Sequence, residues 1–378
     1  MTAASAKTNL LGLSPDGLEQ FFAASGEKPF RARQVLQWIH QRGVTDFDEM
    51  TDLAKSLRAT LHEVAEVVAP QTVSRFDSAD GTVKWLFASG SGQAVETVFI
   101  PEPARGTLCI SSQVGCALDC AFCATGAQGF NRNLTSAEIV GQVWHAIREL
   151  PRRHNGEPAV SNVVFMGMGE PLANYRNVVA VLQLLVSDWS YGLSRRRVTV
   201  STSGIVPHIN KLADDCNVSL AVSLHAPNNA LRDALVPVNK LHPIKMLLDA
   251  CWQYAAKHAN RFITFEYVML RGVNDSLAHA DELADLLLDK PAKVNLIPFN
   301  PFPGTRFKRS SADTIMHFQS RLRQRGMVAT TRKTRGDDID AACGQLAGKV
   351  SDRVTKPLGR KSMSGKKNGK TSMGVAPV

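Results

Sequence analysis

The stretches TLCIS at residues 107–111 and CALDCAFC at residues 116–123 decide how this chain of 378 residues folds. The first is a short apolar run, typical of a buried strand, and the second spaces three cysteines as CxxxCxxC. From about residue 105 onward, strand-like and helix-like stretches alternate, which predicts parallel βα units. The two stretches therefore mark the first strand of an α/β fold and the loop that follows it.

Six strands of this kind are expected in the second part of the chain. They cover residues 107–111, 162–167, 197–201, 218–223, 263–268 and 293–297. Amphipathic helical stretches separate them, for example at residues 136–150 and 177–185. Six units fall short of an eight-stranded barrel, so we expect a partial (β/α)6 barrel, with a doubly wound open sheet as the alternative.

Three regions are expected before a C-terminal tail. Residues 1–70 carry apolar side chains at helical spacing and a helix start at Ser14, which predicts a small helical domain. Residues 71–104 form a strand-rich connecting region that carries Glu96. Residues 105–345 form the partial barrel and a loop at its C-terminal end.

The chain carries a net charge of +10, and much of it lies in a tail at residues 346–378. This tail has eight Lys or Arg against one Asp and is rich in Gly and Ser, so we expect it to be disordered. A basic tail adds salt-sensitive attraction to nucleic acid, although it can also be merely solvated. Because neither a signal peptide nor an apolar stretch of about 18 residues is recognisable, we expect a cytoplasmic protein without a membrane partner.

Seven cysteines in a chain of this size argue against a disulfide framework and favour metal or redox chemistry. Three thiolates can ligate three irons of a [4Fe-4S] cluster, which leaves the fourth iron open to an amine and a carboxylate, as in S-adenosylmethionine (SAM). A zinc-stabilised RNA-binding protein is the alternative, but structural zinc prefers paired CxxC units. Cys216 and Cys251, outside the triple, are interpreted as structural.

The carboxyl ends of the predicted strands are followed by glycines and polar residues. Active-site residues of βα folds lie at these ends. The candidate cofactor-binding residues are Gly169, Glu170, Ser201, Ser223, Leu224, His225 and Asn300. A glycine lets the backbone approach a ligand, a carboxylate holds an ammonium, and hydroxyl, amide and imidazole groups suit ribose and carboxylate. Each of them can also serve as a strand-end cap. Met166 and Met168 are interpreted as packing residues.

The residues around the cysteine triple resemble the dual-specificity RNA adenine-C2 methyltransferases of the radical SAM superfamily. The similar stretches are SSQVGC at residues 111–116, FCATG at residues 122–126 and QGFNRNL at residues 128–134. The resemblance extends from the N-terminal helices to about residue 347. It implies one [4Fe-4S] cluster per chain on Cys116, Cys120 and Cys123, with SAM bound by the strand-end residues.

The resemblance also implies three catalytic residues outside the cluster. Cys343, in the run GDDIDAACGQL at residues 336–346, matches the cysteine that carries the methyl group. Cys109 matches the thiol that resolves a covalent protein–RNA adduct through a transient disulfide, and Glu96 matches the proton acceptor. Adenine C2 is electron-poor, so one SAM methylates the thiolate and a second supplies the radical that activates the S-methyl group. The alternatives are a buried helical cysteine for Cys343 and a core residue for Cys109.

The substrates implied by the family are one adenine of 23S ribosomal RNA and the adenine just 3′ of the anticodon in a subset of transfer RNAs. Such a base must be unstacked before it can react. Predicted phosphate contacts are residues 195–197, Arg132, Arg332, Lys333 and Arg335. We expect the helical domain to bind RNA, a flavodoxin-type protein to donate electrons and the chain to be a monomer. The related C8-methylating resistance enzymes remain the alternative within the superfamily, although QGFN favours the C2 group.

Overall fold

A computed structural model gives the fold of the protein and describes residues 7–90, 92–153, 156–257 and 261–348. The basic tail expected from residue 346 therefore lies outside the described residues, except for its first three positions. Helices at the N-terminus precede one large sheet that is flanked by further helices.

The N-terminal unit is helical, as predicted. Its helices are α1 (Pro15–Ala24), α2 (Phe30–Leu36) and α3 (Lys55–Val64). Its two short strands, β1 (Thr8–Asn9) and β2 (Ala65–Glu66), pair in parallel. The predicted start at Ser14 is confirmed, because its hydroxyl accepts a hydrogen bond of 3.1 Å from the main-chain N–H of Gly17 and Pro15 occupies the first helical position.

Ten strands form the main sheet. Three antiparallel strands make one side: β3 (Thr72–Asp77), β4 (Val83–Ala88) and β5 (Ala94–Glu102). The parallel strands are β6 (Arg105–Cys109), β9 (Asn162–Phe165), β10 (Val198–Thr202), β11 (Ser219–Ser223), β12 (Ile263–Met269), β13 (Ala292–Pro298) and β14 (Val328–Thr331). Their order across the sheet is β14-β13-β12-β11-β10-β9-β6-β5-β4-β3. A separate antiparallel pair consists of β7 (Gln113–Gly115) and β8 (Phe130–Asn133).

The parallel part of the sheet contains seven strands, one more than predicted. All six predicted strands are present, and the mixed α/β class is confirmed. The additional strand, β14, pairs in parallel with β13. It escaped prediction because only Ala329 of its four residues is buried, so it has no apolar run.

The strand-rich region before the barrel shares the same sheet. β5 pairs with β6 in antiparallel register from Val98 opposite Cys109 to Glu102 opposite Arg105. The three strands between residues 72 and 102 therefore cover the edge of β6 that a parallel barrel would leave open. This register also places Cys109 beside the strand that carries Glu96.

Helices follow most of the parallel strands. They are α4 (Ala124–Ala127), α5 (Ser136–Glu149), α6 (Tyr175–Val186), α7 (Val206–Asp215), α8 (Asn229–Leu235), α9 (Ile244–Ala256), α10 (Leu277–Leu287) and α11 (Ala312–Gln324). Helix α5 starts with a capping box, in which Thr135 and Glu138 satisfy each other's main-chain N–H groups. Among the described helices, none is long and apolar enough to cross a bilayer.

Side chains from neighbouring parallel strands face one cleft. Ser201, Ser223, Glu266 and Ile297, which belong to β10, β11, β12 and β13, all line it. The sheet therefore curves around the cleft in the way that a barrel wall does. The loops at the carboxyl ends of the strands border the same space.

Candidate active site

The main cleft has a volume of about 990 Å³, its open mouth included. Most of the residues that the sequence predicted for a cluster and a cofactor line it. These residues are Cys116, Cys120, Cys123, Gly169, Glu170, Ser201, Ser223, His225 and Asn300. Cys343, which was predicted as a catalytic residue, lines the cleft as well. The structure thus gathers side chains from loops that lie far apart in the chain.

The cysteine triple lies in the loop between β7 and α4. Asp119 has a φ of 52°, which turns the chain tightly between the first two cysteines. The main-chain N–H of Cys116 donates to the carbonyl of Gly129 at 2.7 Å, and that of Cys123 donates to the carbonyl of Cys120 at 3.1 Å. These bonds fix the loop so that all three thiols reach the cleft.

All three thiols are free and partly enclosed. Burial raises the pKa of each thiol, to about 12 for Cys120, and the neighbouring thiolates raise the pKa of Cys116 further. Several thiolates side by side in a buried place are costly unless bound cations neutralise them. The donor set therefore fits a metal centre.

The spacing of the sulfur atoms is compatible with an iron–sulfur cluster. In a tetrahedral zinc site with Zn–S bonds of about 2.3 Å, sulfur ligands lie roughly 3.8 Å apart. Within the described ranges, the one group of three His, Cys, Asp or Glu ligand atoms that all lie within 4.8 Å is exposed and consists of Asp46, Asp48 and His62. At least one pair of the three cysteine sulfurs therefore lies farther apart than 4.8 Å, as ligands to different irons of a cluster can do.

Gly169 and Glu170 form a turn against the wall of the cleft. Gly169 has a φ of 95°, and a Cβ atom there would lie 2.4 Å from Cβ of Gln113, so only glycine fits. The carboxylate of Glu170 accepts main-chain hydrogen bonds from Leu172 at 3.0 Å and Ser203 at 2.7 Å. Burial raises the pKa of Glu170, while these hydrogen bonds lower it. The carboxylate is thus oriented and buried, as an ammonium-binding group needs to be.

His225 contributes an uncharged imidazole to the cleft. Its Nδ1 accepts the main-chain N–H of Val268 at 3.0 Å, so the ring proton resides on Nε2. Burial, followed by the nearby Arg232, lowers the pKa of His225 to about 3. The ring of Phe122, one residue before Cys123, packs edge-on against it at 4.6 Å between centroids. The imidazole therefore acts as a neutral hydrogen-bond donor beside the cysteine loop.

Leu224 does not line the cleft. Its side chain is fully buried in the core. Its main-chain N–H donates to the carbonyl of Glu266 at 3.1 Å, and its own carbonyl accepts from Nε of Arg232 at 3.1 Å. Leu224 therefore fixes the position of its neighbours Ser223 and His225, which do line the cleft.

A second cavity, of about 480 Å³, adjoins the first. The two cavities share the wall residues Met166, Ile297, Asn300, Arg332 and Cys343. Cys109 lines the second cavity and not the first. Cys343 is therefore accessible from the space beside the cysteine triple and from the space beside Cys109.

The loop that carries Cys343 is held from two sides. Nδ2 of Asn300 donates to the carbonyl of Cys343 at 3.2 Å. Oγ1 of Thr125, two residues after Cys123, donates to the carbonyl of Leu346 at 2.6 Å. The thiol of Cys343 is thus positioned by the end of β13 and by the helix that follows the cysteine triple.

The hairpin between β3 and β4 fastens the start of this loop. Asp338 accepts hydrogen bonds from Oγ of Ser78 at 2.6 Å and from the main-chain N–H of Ala79 at 3.2 Å. The N–H of Gly336 donates to Asp80 at 3.3 Å. The antiparallel part of the sheet therefore positions the loop that carries Cys343.

Cys109 is a buried thiol at the end of β6, opposite Val98 of β5. Burial and then the neighbouring Cys343 raise the pKa of Cys109 to about 12. The two cysteines are both free in the structure and border the same cavity. Cys216 and Cys251, which the sequence indicated as structural, are buried in the core.

Glu96 lies on β5, on the same strand face as Val98 and Ile100, which line the second cavity. Its carboxylate lies 3.5 Å from Nζ of Lys84 and accepts the N–H of Ala347 at 3.2 Å. The Glu96 side chain is only 12% exposed, and burial raises its pKa more than Lys84 lowers it. Glu96 is therefore a buried carboxylate next to the Cys343 loop.

Sequence reasoning placed neither of two charged residues in the cleft. Arg332 was predicted to contact phosphate, and its side chain lines both cavities, as Cys343 does. Glu266 is a buried carboxylate on β12 that accepts a hydrogen bond of 2.8 Å from Asn295. The signal for Glu266 was present, because it is a lone acidic residue in the apolar strand ITFEYVM. Met166, interpreted as packing, also belongs to the wall between the cavities.

The other predicted RNA contacts differ in solvent exposure and in whether they form ion pairs. The three arginines at residues 195–197 and Lys333 are exposed. Arg132 instead forms an ion pair with Glu138, and Arg335 lies 3.7 Å from Asp80. These two arginines stabilise the local structure.

Two family models match the chain. The Ribosomal RNA large subunit methyltransferase N-terminal domain matches residues 8–67, and the Radical SAM superfamily matches residues 110–287. The first match covers the helical unit, and the second begins at the end of β6 and includes the cysteine triple.

A solved structure that is 46% identical gives the same assignment. A radical SAM methyltransferase from Sphaerobacter thermophilus is 46% identical over 90% of this chain and 99% of that chain, with a TM-score of 0.82. SuiB from Streptococcus suis, solved with bound S-adenosylmethionine, is 13% identical over 61% of this chain and 54% of that one, with a TM-score of 0.44. The chain therefore belongs to the radical SAM superfamily and, within it, to the RlmN family of methyltransferases, whose chemistry uses a [4Fe-4S] cluster and S-adenosylmethionine.

Proposed function

We propose that this protein methylates C2 of one adenine in 23S ribosomal RNA and of the adenine just 3′ of the anticodon in a subset of transfer RNAs. The methyl group passes through Cys343. The observation that carries the proposal is that Cys343 lies on the wall between two cavities. One cavity contains the cysteine triple and the other contains Cys109.

The residues of the main cleft suit both cofactors. Cys116, Cys120 and Cys123 would ligate three irons of the cluster, and the buried carboxylate of Glu170 would receive the amino group of SAM. When bound, these cofactors supply the one-electron chemistry: an electron, a radical that removes hydrogen from a methyl group, and an acceptor for the electron released later. The chain itself binds, orients and moves protons.

In the first stage, the thiolate of Cys343 attacks the methyl carbon of SAM, which here is a substrate, and displaces the thioether. A bond forms between the Cys343 sulfur and the methyl carbon while the sulfonium C–S bond breaks, and its electron pair stays on the departing sulfur. The thiol has to be ionised and close to the cofactor. The hydrogen bond from Asn300 to the Cys343 carbonyl supports this placement.

In the second stage, the activated S-methyl carbon joins C2 of adenine and links the RNA to Cys343. Glu96 accepts the C2 proton. The thiolate of Cys109 then attacks the Cys343 sulfur, so that an S–S bond forms and the S–C bond breaks. The electron pair remains on the methyl-derived carbon, which takes up a proton. The shared cavity of the two cysteines supports this order.

RNA recognition requires an unstacked adenine, because C2 lies inside a base stack. The exposed arginines at residues 195–197 and the exposed Lys333, which borders the second cavity, are suitable phosphate contacts. The helical unit at residues 8–67 matches a domain of ribosomal RNA methyltransferases and is a further RNA contact in this proposal. The protein acts as a monomer with a flavodoxin-type electron donor. It acts in the cytoplasm, because the reaction needs reduced thiols.

Mass spectrometry of nucleosides after reaction tests this function. Anaerobically purified protein with SAM, a reductant and ribosomal or transfer RNA should yield 2-methyladenosine. The product 8-methyladenosine would contradict the proposed position and favour the C8-methylating relatives. Cys343→Ala should give no methylated base, while Cys251→Ala, a change of a core cysteine, should remain active. Normal methylation by Cys343→Ala would overturn the carrier role.

A further inference from the structure

Arg332 occupies a fixed position on the wall between the two cavities. It directly follows β14, and its main-chain N–H donates to the carbonyl of Leu296 at 2.8 Å, which continues the pairing with β13. Its half-buried side chain borders the main cleft and the second cavity, and Cys343 borders both as well. The main-chain position of Arg332 is therefore set by its pairing with the sheet.

No acidic side chain pairs directly with Arg332. In the described part of the chain, no carboxylate oxygen lies within 4.0 Å of its guanidinium, and Glu266 and Glu102 act on it from farther away. Its side chain donates to Sδ of Met166 at 3.8 Å, and a thioether is a weak acceptor. Arg335, three residues later, lies 3.7 Å from Asp80. Arg332 thus offers an available positive charge to the cavities that it borders.

Three anionic groups act most strongly on Arg332: the thiolate of Cys343, the carboxylate of Glu266 and the thiolate of Cys109. The thiolate of Cys343 is the largest cause that raises the pKa of Arg332, ahead of Glu266 and Cys109. In the opposite direction, Arg332 lowers the pKa of Cys109 against the effect of burial. One guanidinium therefore serves both cysteines, which border the second cavity with it.

We propose that Arg332 is a positioning residue that stabilises the negative charge of Cys343 and then that of Cys109. This inference rests on the proposed function. While Cys343 attacks the methyl group, its sulfur carries the negative charge and pairs with Arg332. Methylation turns that sulfur into a neutral thioether, which no longer competes for the guanidinium. Arg332 is then available to the Cys109 thiolate when it attacks the Cys343 sulfur.

Alkylation of Cys343 with two reagents of different charge tests the pairing without any RNA. Iodoacetate is an anion and iodoacetamide is neutral, so a cation beside the thiol favours the first relative to the second. The rates are measured at one pH on the anaerobic full-length holoprotein, by mass spectrometry of the Cys343 peptide. We expect the iodoacetate-to-iodoacetamide rate ratio to fall about fivefold in Arg332→Gln.

Two further variants complete the test. Arg332→Lys keeps the charge and should keep most of the ratio, which separates charge from folding. Lys293→Gln removes an exposed charge on β13 that lines neither cavity, and it should leave the ratio near that of the natural protein. An unchanged ratio in Arg332→Gln, or an equal fall in Lys293→Gln, overturns the role of Arg332. Because the assay involves neither SAM turnover nor RNA, these outcomes are independent of whether Cys343→Ala methylates RNA.

A second experiment measures the two steps in which the cysteines react, namely the methylation of Cys343 and the release of the RNA adduct. In a single turnover with SAM and RNA, Arg332→Gln should slow both the mass gain of one methyl group at Cys343 and the release of the RNA adduct. Arg332→Lys should restore both steps in large part. Slowing of the first step alone would overturn the shared role for Cys109.

Discussion

The side-chain amide of Asn300 donates a hydrogen bond of 3.2 Å to the main-chain carbonyl of Cys343. The oxygen of the same amide accepts from Arg309 at 2.7 Å, so its orientation is determined. Asn300 lines both cavities, and it therefore connects the end of β13 to the loop that carries Cys343.

Asn300→Asp should lower the rate of Cys343 methylation by about three- to tenfold, the range of one lost hydrogen bond. The aspartate keeps the shape of the side chain but places an acceptor opposite the Cys343 carbonyl. Quench-flow sampling with peptide mass spectrometry measures the rate, and iron content should stay unchanged. A natural rate in Asn300→Asp would show that this hydrogen bond does not position the thiol.

Gly169→Ala should weaken SAM binding. Its Cβ would meet Gln113 at 2.4 Å, and overpacking of roughly 1–3 kcal/mol corresponds to about tenfold or more in affinity. Isothermal titration calorimetry on the anaerobic protein measures the affinity. Gly26→Ala is the matched control, because Gly26 has a φ of 75° but no atom within 4 Å of the added Cβ. Equal SAM affinity in both variants would contradict the role of the Gly169 turn.

Lys84→Met should move the pH dependence of adduct release to higher pH. Burial raises the pKa of Glu96 and Lys84 lowers it, so loss of the lysine raises this pKa further. The proton acceptor must be a carboxylate, and more alkaline solution is then needed to ionise it. The rate of RNA release is measured as a function of pH. The part of the profile in which the rate rises with pH should move to higher pH.

Two control variants accompany Lys84→Met. Lys84→Arg keeps the positive charge and should keep the natural profile. Lys293→Met removes an exposed charge on β13 and should have no effect. An unshifted profile in Lys84→Met would exclude Glu96 as the group that titrates in this step.

Cys109→Ala should trap the RNA on the protein. Without the second thiol, the S–C bond to Cys343 persists, and turnover stops at about one adduct per chain. A denaturing gel and mass spectrometry of the linked peptide detect the adduct. Cys216→Ala, a change of another buried cysteine, should release its product normally. Full turnover by Cys109→Ala would contradict the proposed resolving role.

Local signals in the sequence predicted the elements and the metal-binding motif. The hydroxyl of Ser14 caps the start of a helix by accepting a hydrogen bond from Gly17, three residues later. The spacing of Cys116, Cys120 and Cys123 is likewise contained within one loop. Alternating apolar stretches predicted six parallel strands, because a buried strand needs little more than its own side chains to be recognised. Strand β14 lacks such side chains and forms only because β13 provides a partner.

The sequence by itself determined the α/β class, the cysteine triple and the strand-end residues, since each depends on neighbours in the chain. Only the tertiary structure decided that Cys343 lies between two cavities, that Leu224 turns into the core and that Arg332 shares a cavity with Cys109 and Cys343. These facts depend on how the sheet curves and on contacts between segments that are distant in sequence. No local pattern records such contacts, because they arise when the β3–β4 hairpin, the end of β13 and α4 pack against the same loop.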